Sequence, residues 1–457
     1  MNKLKPCYNL GMRPSLRVLL IFIGVLFLGG LVLSLPPVRT RVYNVLEDAR
    51  IRARSIIFPQ KETVFVPGGE VMATVTPMPE TPLPSQTMTL TATITRTPET
   101  PLPTTTPSAT PTPLPPSVDL KGVTWETQNG AWNYCGPTNL AMELSYWGWK
   151  GDKFTTGKVL KPFGYDLNVM PYEMQNYVDE YTNLKLMVRY GGTLPLLKKL
   201  LAGGFPVLTE VGVYFPETAT GMTSWMGHYR TVTGFNDQQG QLIVQDSYIK
   251  PNLTIPYDTF VSDWRSFDFV FLVAYSPDKE AQLTALLGEY ADQGQSYQVA
   301  LKTSADEMWK LTGVDQYFAW YNRGTTLVML QDYLGAAEAY DKAFSLYANL
   351  PEDRRPWRMI WHQTGPYYAY FYSGRYQDVA DLASGTLKFI QDRATRLGIA
   401  DKPQVGAFIE ETWVWRSRAR VVLGDLNGAI SDLRMALKYH PGFQAAVDDL
   451  KKLGLAP

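Results

Sequence analysis

Between Thr74 and Pro116, threonine and proline make up well over half of the residues, in runs such as Thr104-Thr105-Thr106-Pro107 and Thr110-Pro111-Thr112-Pro113. A stretch so poor in large apolar side chains cannot offset the entropy of ordering itself, so no core runs through it and the chain must fold on either side. In polyproline II geometry it is a stiff spacer, at roughly 3 Å per residue reaching up to ~130 Å. Such stalks are found outside cells, which puts the residues beyond it on the extracytoplasmic side.

Before the stalk, Val18 to Leu35 is an uninterrupted apolar run, preceded by Lys3, Lys5, Arg13 and Arg17 and closed by Pro36-Pro37. Its length is that of a single transmembrane helix. It is long for the apolar region of a signal peptide and no small-x-small cleavage site follows, so an uncleaved anchor is expected. Arg39, Arg41, Arg50, Arg52 and Arg54 balance the basic residues on the other side, so charge alone does not orient it. The reading so far is a cytoplasmic tail over 1–17, an anchor over 18–35, a juxtamembrane segment over 36–73 and a stalk over 74–117.

Beyond the stalk the chain is built to fold: 45% of all residues are apolar and 13% aromatic. Net charge is zero with 19% charged residues, so no basic face speaks for nucleic acid. Over 118–277 a helix leads into strands expected at 184–190, 206–213, 228–233, 241–246 and 269–275, with a helix at 193–202 capped by Thr193 and stopped by Gly203; this is an α+β pattern. Over 278–457 the strands disappear. Trp320, Gly324, Ala336, Tyr340 and Ala343 follow the spacing of a tetratricopeptide repeat, and Trp413, Ala429, Leu433, Ala436 and Pro441 repeat it, with a degenerate copy around Tyr370, Tyr376, Val379 and Ala383. An all-α, tetratricopeptide-like array is expected there, offering a surface for a protein partner.

The chain has two cysteines, Cys7 and Cys135, on opposite sides of the apolar run, so Cys135 should be a free thiol. It opens a helix in which Pro137 fits the first position and Leu140, Leu144 and Trp147 recur until Gly148. At that end the unpaired N–H groups and the helix dipole favour a thiolate, the nucleophilic form of cysteine. A base must then be found among His228, His362 and His440. The last two lie in the helical region, whereas His228 begins a strand in the same domain as Cys135. A hairpin register centred on Asp237 sets His228 directly opposite Asp246, whose carboxylate could fix the imidazole tautomer. No second His or Cys stands at ligand spacing, so neither metal nor cofactor is expected.

Cys135-Gly136-Pro137 opening a helix, Gly204-Phe205-Pro206-Val207, Gly227-His228-Tyr229 with Thr233-Gly234-Phe235, and Val244-Gln245-Asp246-Ser247 together resemble the papain-like cysteine peptidases of the double-glycine leader type, family thirty-nine of the cysteine peptidases. The resemblance implies an α+β papain-like domain that hydrolyses peptide bonds, with Cys135 as nucleophile, His228 as general base and Asp246 as its orienting partner. That family usually carries a glutamine six residues before the cysteine to donate to the oxyanion. Here that place is Asn129, and the glutamine, Gln128, is one residue further away. A membrane-anchored, extracytoplasmic peptidase acting on a peptide or protein is the resulting expectation. A catalytically inactive domain that only binds is the alternative.

Overall fold

The computed structural model describes residues 45, 46, 49, 50, 53, 62, 64–68, 113–131, 133–163, 168–217, 222–398 and 409–457. The apolar run 18–35, Cys7 and the stalk up to residue 112 lie outside them. Among the described residues no helix is long and apolar enough to cross a membrane.

One antiparallel sheet is built from β1 (Ser117–Asp119), β2 (Lys185–Arg189), β3 (Val207–Pro216), β4 (Thr223–Asn236), β5 (Gln241–Gln245), β6 (Leu253–Pro256) and β7 (Phe271–Tyr275). The strand order is β2-β7-β3-β4-β5-β6, and β1 pairs with the end of β4. The expected strand beginning at His228 is in fact the interior of the long β4. Gly227, which reads as a strand boundary, is instead a point of close approach: a Cβ there would lie 2.6 Å from the His362 ring.

Helix α1 (Cys135–Tyr146) packs Leu140 and Leu144 against the sheet and stops before Gly148, whose φ of +83° closes it. Cys135 itself is its first residue. Pro137 is therefore third rather than first, a place equally free of an intrahelical N–H bond. The structure adds α2 (Lys153–Leu160), begun by Asp152 accepting from the Thr155 N–H at 2.8 Å, and α3 (Pro171–Tyr181), begun by proline. Helix α4 (Leu194–Ala202) has the expected Thr193 cap and Gly203 stop, and α5 (Tyr257–Arg265) follows β6.

Val207, Val211, Val232, Val244, Phe271 and Val273 turn one face of the sheet into a core under α4. On the other face Leu208, Trp225, Tyr229 and Leu272 join Leu140 and Leu144 of α1. That cluster continues without a break into the helical region, through Tyr317, Tyr340 and Tyr367.

The helical region starts with α6 (Glu280–Leu287) and α7 (Gln293–Glu307). Helix hairpins then follow: α8 (Gly313–Met329) with α9 (Tyr333–Asn349), then, after the single turn α10 (Met359–His362), α11 (Gly365–Tyr372) with α12 (Tyr376–Leu397), and α13 (Glu410–Val422) with α14 (Leu426–Tyr439). Helix α15 (Gln444–Lys452) ends the array. Each hairpin turns through one left-handed residue: Gln331, Gly374 and Gly424. Gly324 lies so near Tyr340 that a Cβ would fall 2.7 Å from the ring, which is the small-against-aromatic pairing of the repeat template. The helical region thus fits repeats, including the poorly matched middle copy. Trp413 is buried, as the template requires, but Trp320 is only half-buried and meets the exposed Trp309 edge-on at 5.2 Å.

Polar contacts lock the array to the sheet. Arg358 reaches the Glu217 carboxylate at 2.6 Å and the Trp225 carbonyl at 2.9 Å, and Arg393 also pairs with Glu217. Asn322 donates to the Arg265 carbonyl at 2.7 Å, and the Thr326 hydroxyl donates to Asp268 at 2.6 Å.

Candidate active site

A cleft of about 410 Å³ lies at the N-terminus of α1. Cys135, Gln128, Asn129 and His228 line it, and Phe215, Met226 and Tyr248 form its apolar walls. Cys135 is a free, partly exposed thiol, so its sulfur is both sheltered and reachable. The loop that delivers it is tied down by α2: Lys161 donates to the Asn133 carbonyl at 2.9 Å and Lys153 to the Thr127 carbonyl at 2.5 Å.

His228 is buried, with its Nε2 3.1 Å from Asp246 Oδ1. Nδ1 is thereby the ring nitrogen that Asp246 leaves unengaged, and Cys135 lines the same cleft. Asp246 is fully buried and surrounded by donors: besides His228, the backbone N–H groups of Tyr248 and Ile249 bind Oδ1 at 2.9 and 3.0 Å, and Arg230 Nε binds Oδ2 at 3.0 Å. The Trp125 indole donates to the Asp246 carbonyl at 3.1 Å.

The contact between residues 228 and 246 arises differently from the expected one. Asn236 pairs with Gln241 and Thr231 with Gln245, with a bulge between Val232 and Gly234, so the residue opposite 246 is Arg230 rather than His228. The hairpin loop is tighter than expected and the bulge takes one residue back. The net displacement is two residues, and an even displacement keeps a side chain on its face of the sheet. Asp246 therefore reaches His228 on the diagonal while facing Arg230.

Gln128 and Asn129 both line the cleft, but only Gln128 is oriented by the interior. Asn139 donates to the Ser247 hydroxyl at 2.9 Å, and that hydroxyl donates to Gln128 Oε1 at 2.7 Å. With its oxygen so engaged, the Gln128 amide has its N–H bonds to offer to the cleft. The other histidines serve elsewhere: His362 Nδ1 lies 3.7 Å from Glu210, and His440 Nδ1 lies 3.1 Å from Glu410. Among the described residues no cluster of three or more His, Cys, Asp or Glu side chains could hold a metal ion.

Residues 120–271, which carry all of this geometry, match the Peptidase_C39 like family. This is a C39-like peptidase domain. A solved Bacillus anthracis structure named as a C39-like peptidase aligns at 17% identity and a TM-score of 0.29, over 35% of this chain and 97% of its own. No curated protein matches the chain.

Within the C39-like domain, burial alone would pull the His228 pKa down, but the Asp246 carboxylate and the hydrogen bonds to Asp246 and Cys135 outweigh it and raise the pKa to about 9. Asp246 also loses solvation on burial, yet His228, Arg230 and the backbone donors hold its carboxyl well below the usual carboxylate range. The imidazolium–carboxylate pair is thus the resident form at neutral pH. The His228 contribution to stability is complete below its unfolded value of ~6.5 and disappears as pH rises through about 9. The Asp246 contribution is present above ~3.9 and disappears in acid. Melting followed against pH should therefore show a loss between pH ~6.5 and ~9 that is absent in His228→Ala; an unchanged slope in the variant would exclude the pair as its source.

Arg230, Ser247, Phe215, Met226 and Tyr248 are additions to the residues proposed from sequence. Arg230 is two residues from His228 on the same strand face, a spacing that sequence alone could have flagged. Phe215 reaches the cleft from the far end of β3 and stands edge-on to His228 at a centroid distance of 5.5 Å, a contact set by strand pairing alone.

Proposed function

We propose that this chain is a membrane-anchored, extracytoplasmic cysteine peptidase, with Cys135, His228 and Asp246 as its triad and the helical array holding a substrate or partner. The observation that carries the reading is the His228 ring, bonded through Nε2 to a buried carboxylate and lining one cleft with Cys135, the only cysteine of the domain. A protonated imidazole fixed in this way is the counter-ion a thiolate needs.

In the proposed cycle the Cys135 thiolate adds to the scissile carbonyl carbon. The developing oxyanion accepts from the Gln128 Nε2 amide and from the Cys135 N–H, which as the first of its helix has no intrahelical partner. His228 gives its proton to the leaving amine as the C–N bond breaks, leaving a thioester. It then takes a proton from water, whose oxygen attacks the thioester; the C–S bond breaks, the acid product leaves and the thiolate–imidazolium pair is restored. Phe215, Met226 and Tyr248 would favour an apolar side chain beside the scissile bond.

The inactive alternative rested on the displaced glutamine. Gln128 nevertheless lines the cleft with its amide oriented by Ser247, which supports the catalytic reading. The anchor over 18–35 and the tetratricopeptide-like character of the array are part of the same proposal and rest on composition and spacing.

The test is chemical. Alkylation of Cys135 by iodoacetamide at neutral pH should slow sharply in His228→Ala, and a peptidyl epoxide should label the wild type alone. A labelling rate indifferent to His228 would leave a binding domain.

A further inference from the structure

A second groove lies on the helical array, away from the cleft, and part of this chain's own N-terminal segment is already in it. Tyr317 and Tyr321 of α8, Phe344 and Tyr347 of α9, and Leu382 and Phe389 of α12 line it, together with Glu62 and Phe65. Glu62 accepts from the Tyr347 hydroxyl at 2.7 Å, and its other oxygen is 3.6 Å from Arg355. The Phe65 ring stands edge-on to Phe344 at 5.2 Å and to Tyr370 at 6.1 Å. Gly68 donates its N–H to Asp378 Oδ1 at 2.9 Å.

Glu62, Phe65 and Gly68 are three residues apart, and residues 64–68 form neither helix nor strand. A spacing of three is that of a polyproline II ligand, which shows one side to its receptor at every turn. Two observations distinguish this segment from a piece of the core. Val66, between the anchors, is 67% exposed. The groove also retains about 60 Å³ of unfilled volume, whereas core packing leaves few voids larger than a water molecule.

We propose that the groove is a recognition site for an extended peptide of acidic-x-x-aromatic-x-Pro-Gly chemistry, and that Glu62–Gly68 fills it in cis. The acid meets a hydroxyl and a guanidinium, the aromatic ring inserts among Phe344 and Tyr370, and the Pro-Gly end places a backbone N–H on Asp378. A protein carrying such a segment would enter by displacing the chain's own. This surface is independent of the chemistry at Cys135, and its test reads binding rather than hydrolysis.

The experiment uses the full chain in detergent, with Cys135 blocked by iodoacetamide, and a fluorescent synthetic peptide of residues 60–70 as probe. A Glu62→Lys/Phe65→Asp variant changes only the resident segment, which contributes to no sheet or helix hairpin. It should bind the probe at least about tenfold more tightly than the wild type, because the tethered segment competes at millimolar effective concentration. Adding Tyr347→Phe to that variant should reverse the gain. Equal probe binding by wild type and double variant overturns the proposal, since it would mean a docked segment but no recognition site.

Discussion

Replacing Asp246 by Asn should lower peptide hydrolysis by about 10²–10⁴-fold at neutral pH, because a neutral amide removes the charge that holds the His228 ring as an imidazolium. The same change should destabilise the domain by roughly 3–5 kcal/mol, since it leaves the buried Arg230 with Asp263 alone, 2.9 Å away. The two effects separate experimentally. Turnover of a peptide substrate and the denaturation midpoint are measured on the same preparation, and thiol titration confirms that Cys135 is present. A folded Asp246→Asn protein with near-normal turnover would remove Asp246 from the proposed triad and leave it a structural ion-pair partner of Arg230.

The second large effect is in the array. Trp413 is 5% exposed and packs with Leu433, Ala436 and Leu450, while the Arg416 guanidinium lies 4.9 Å above its ring. Trp413→Ala should therefore cost about 3–5 kcal/mol through lost burial and the cavity left behind. The cluster formed by Trp413 is separate from the core that joins the sheet to α8, α9 and α11. The loss should thus appear in the melting of α13–α15, with the rate of Cys135 alkylation unchanged. If both change together, the last hairpin is coupled to the cleft more tightly than its packing indicates.

What sequence could yield here depended on whether a contact is local. The helix at Cys135 and the Thr193 cap of α4 are written in adjacent residues, and both stand within a residue or two of expectation. The proximity of residues 228 and 246 was reached through a register off by two, and it holds because the error is even; an odd one would have turned Asp246 to the opposite face. Gln128 was open against Asn129 until Ser247, more than a hundred residues away, supplied the hydrogen bond that orients it. Phe215 and Met226 were out of reach for the same reason, since pairing of β3 with β4 brings them to the cleft. Arg230 was missed although its strand parity with His228 is plain in the sequence.

The docking of Glu62–Gly68 changes what the Thr/Pro stretch can do. On one side of it Gly68 is held by Asp378, and on the other the Pro116 carbonyl accepts the Asp237 N–H at 2.9 Å before β1 joins the sheet. Both flanks of the stretch are thus fastened to one folded body. Under the proposed anchor over 18–35, distance from a membrane would be set by the segment before Glu62. A protease that cuts between these two flanks would sever the chain without releasing the folded body, since the upstream piece stays seated in its groove; release would need a second event that empties the groove.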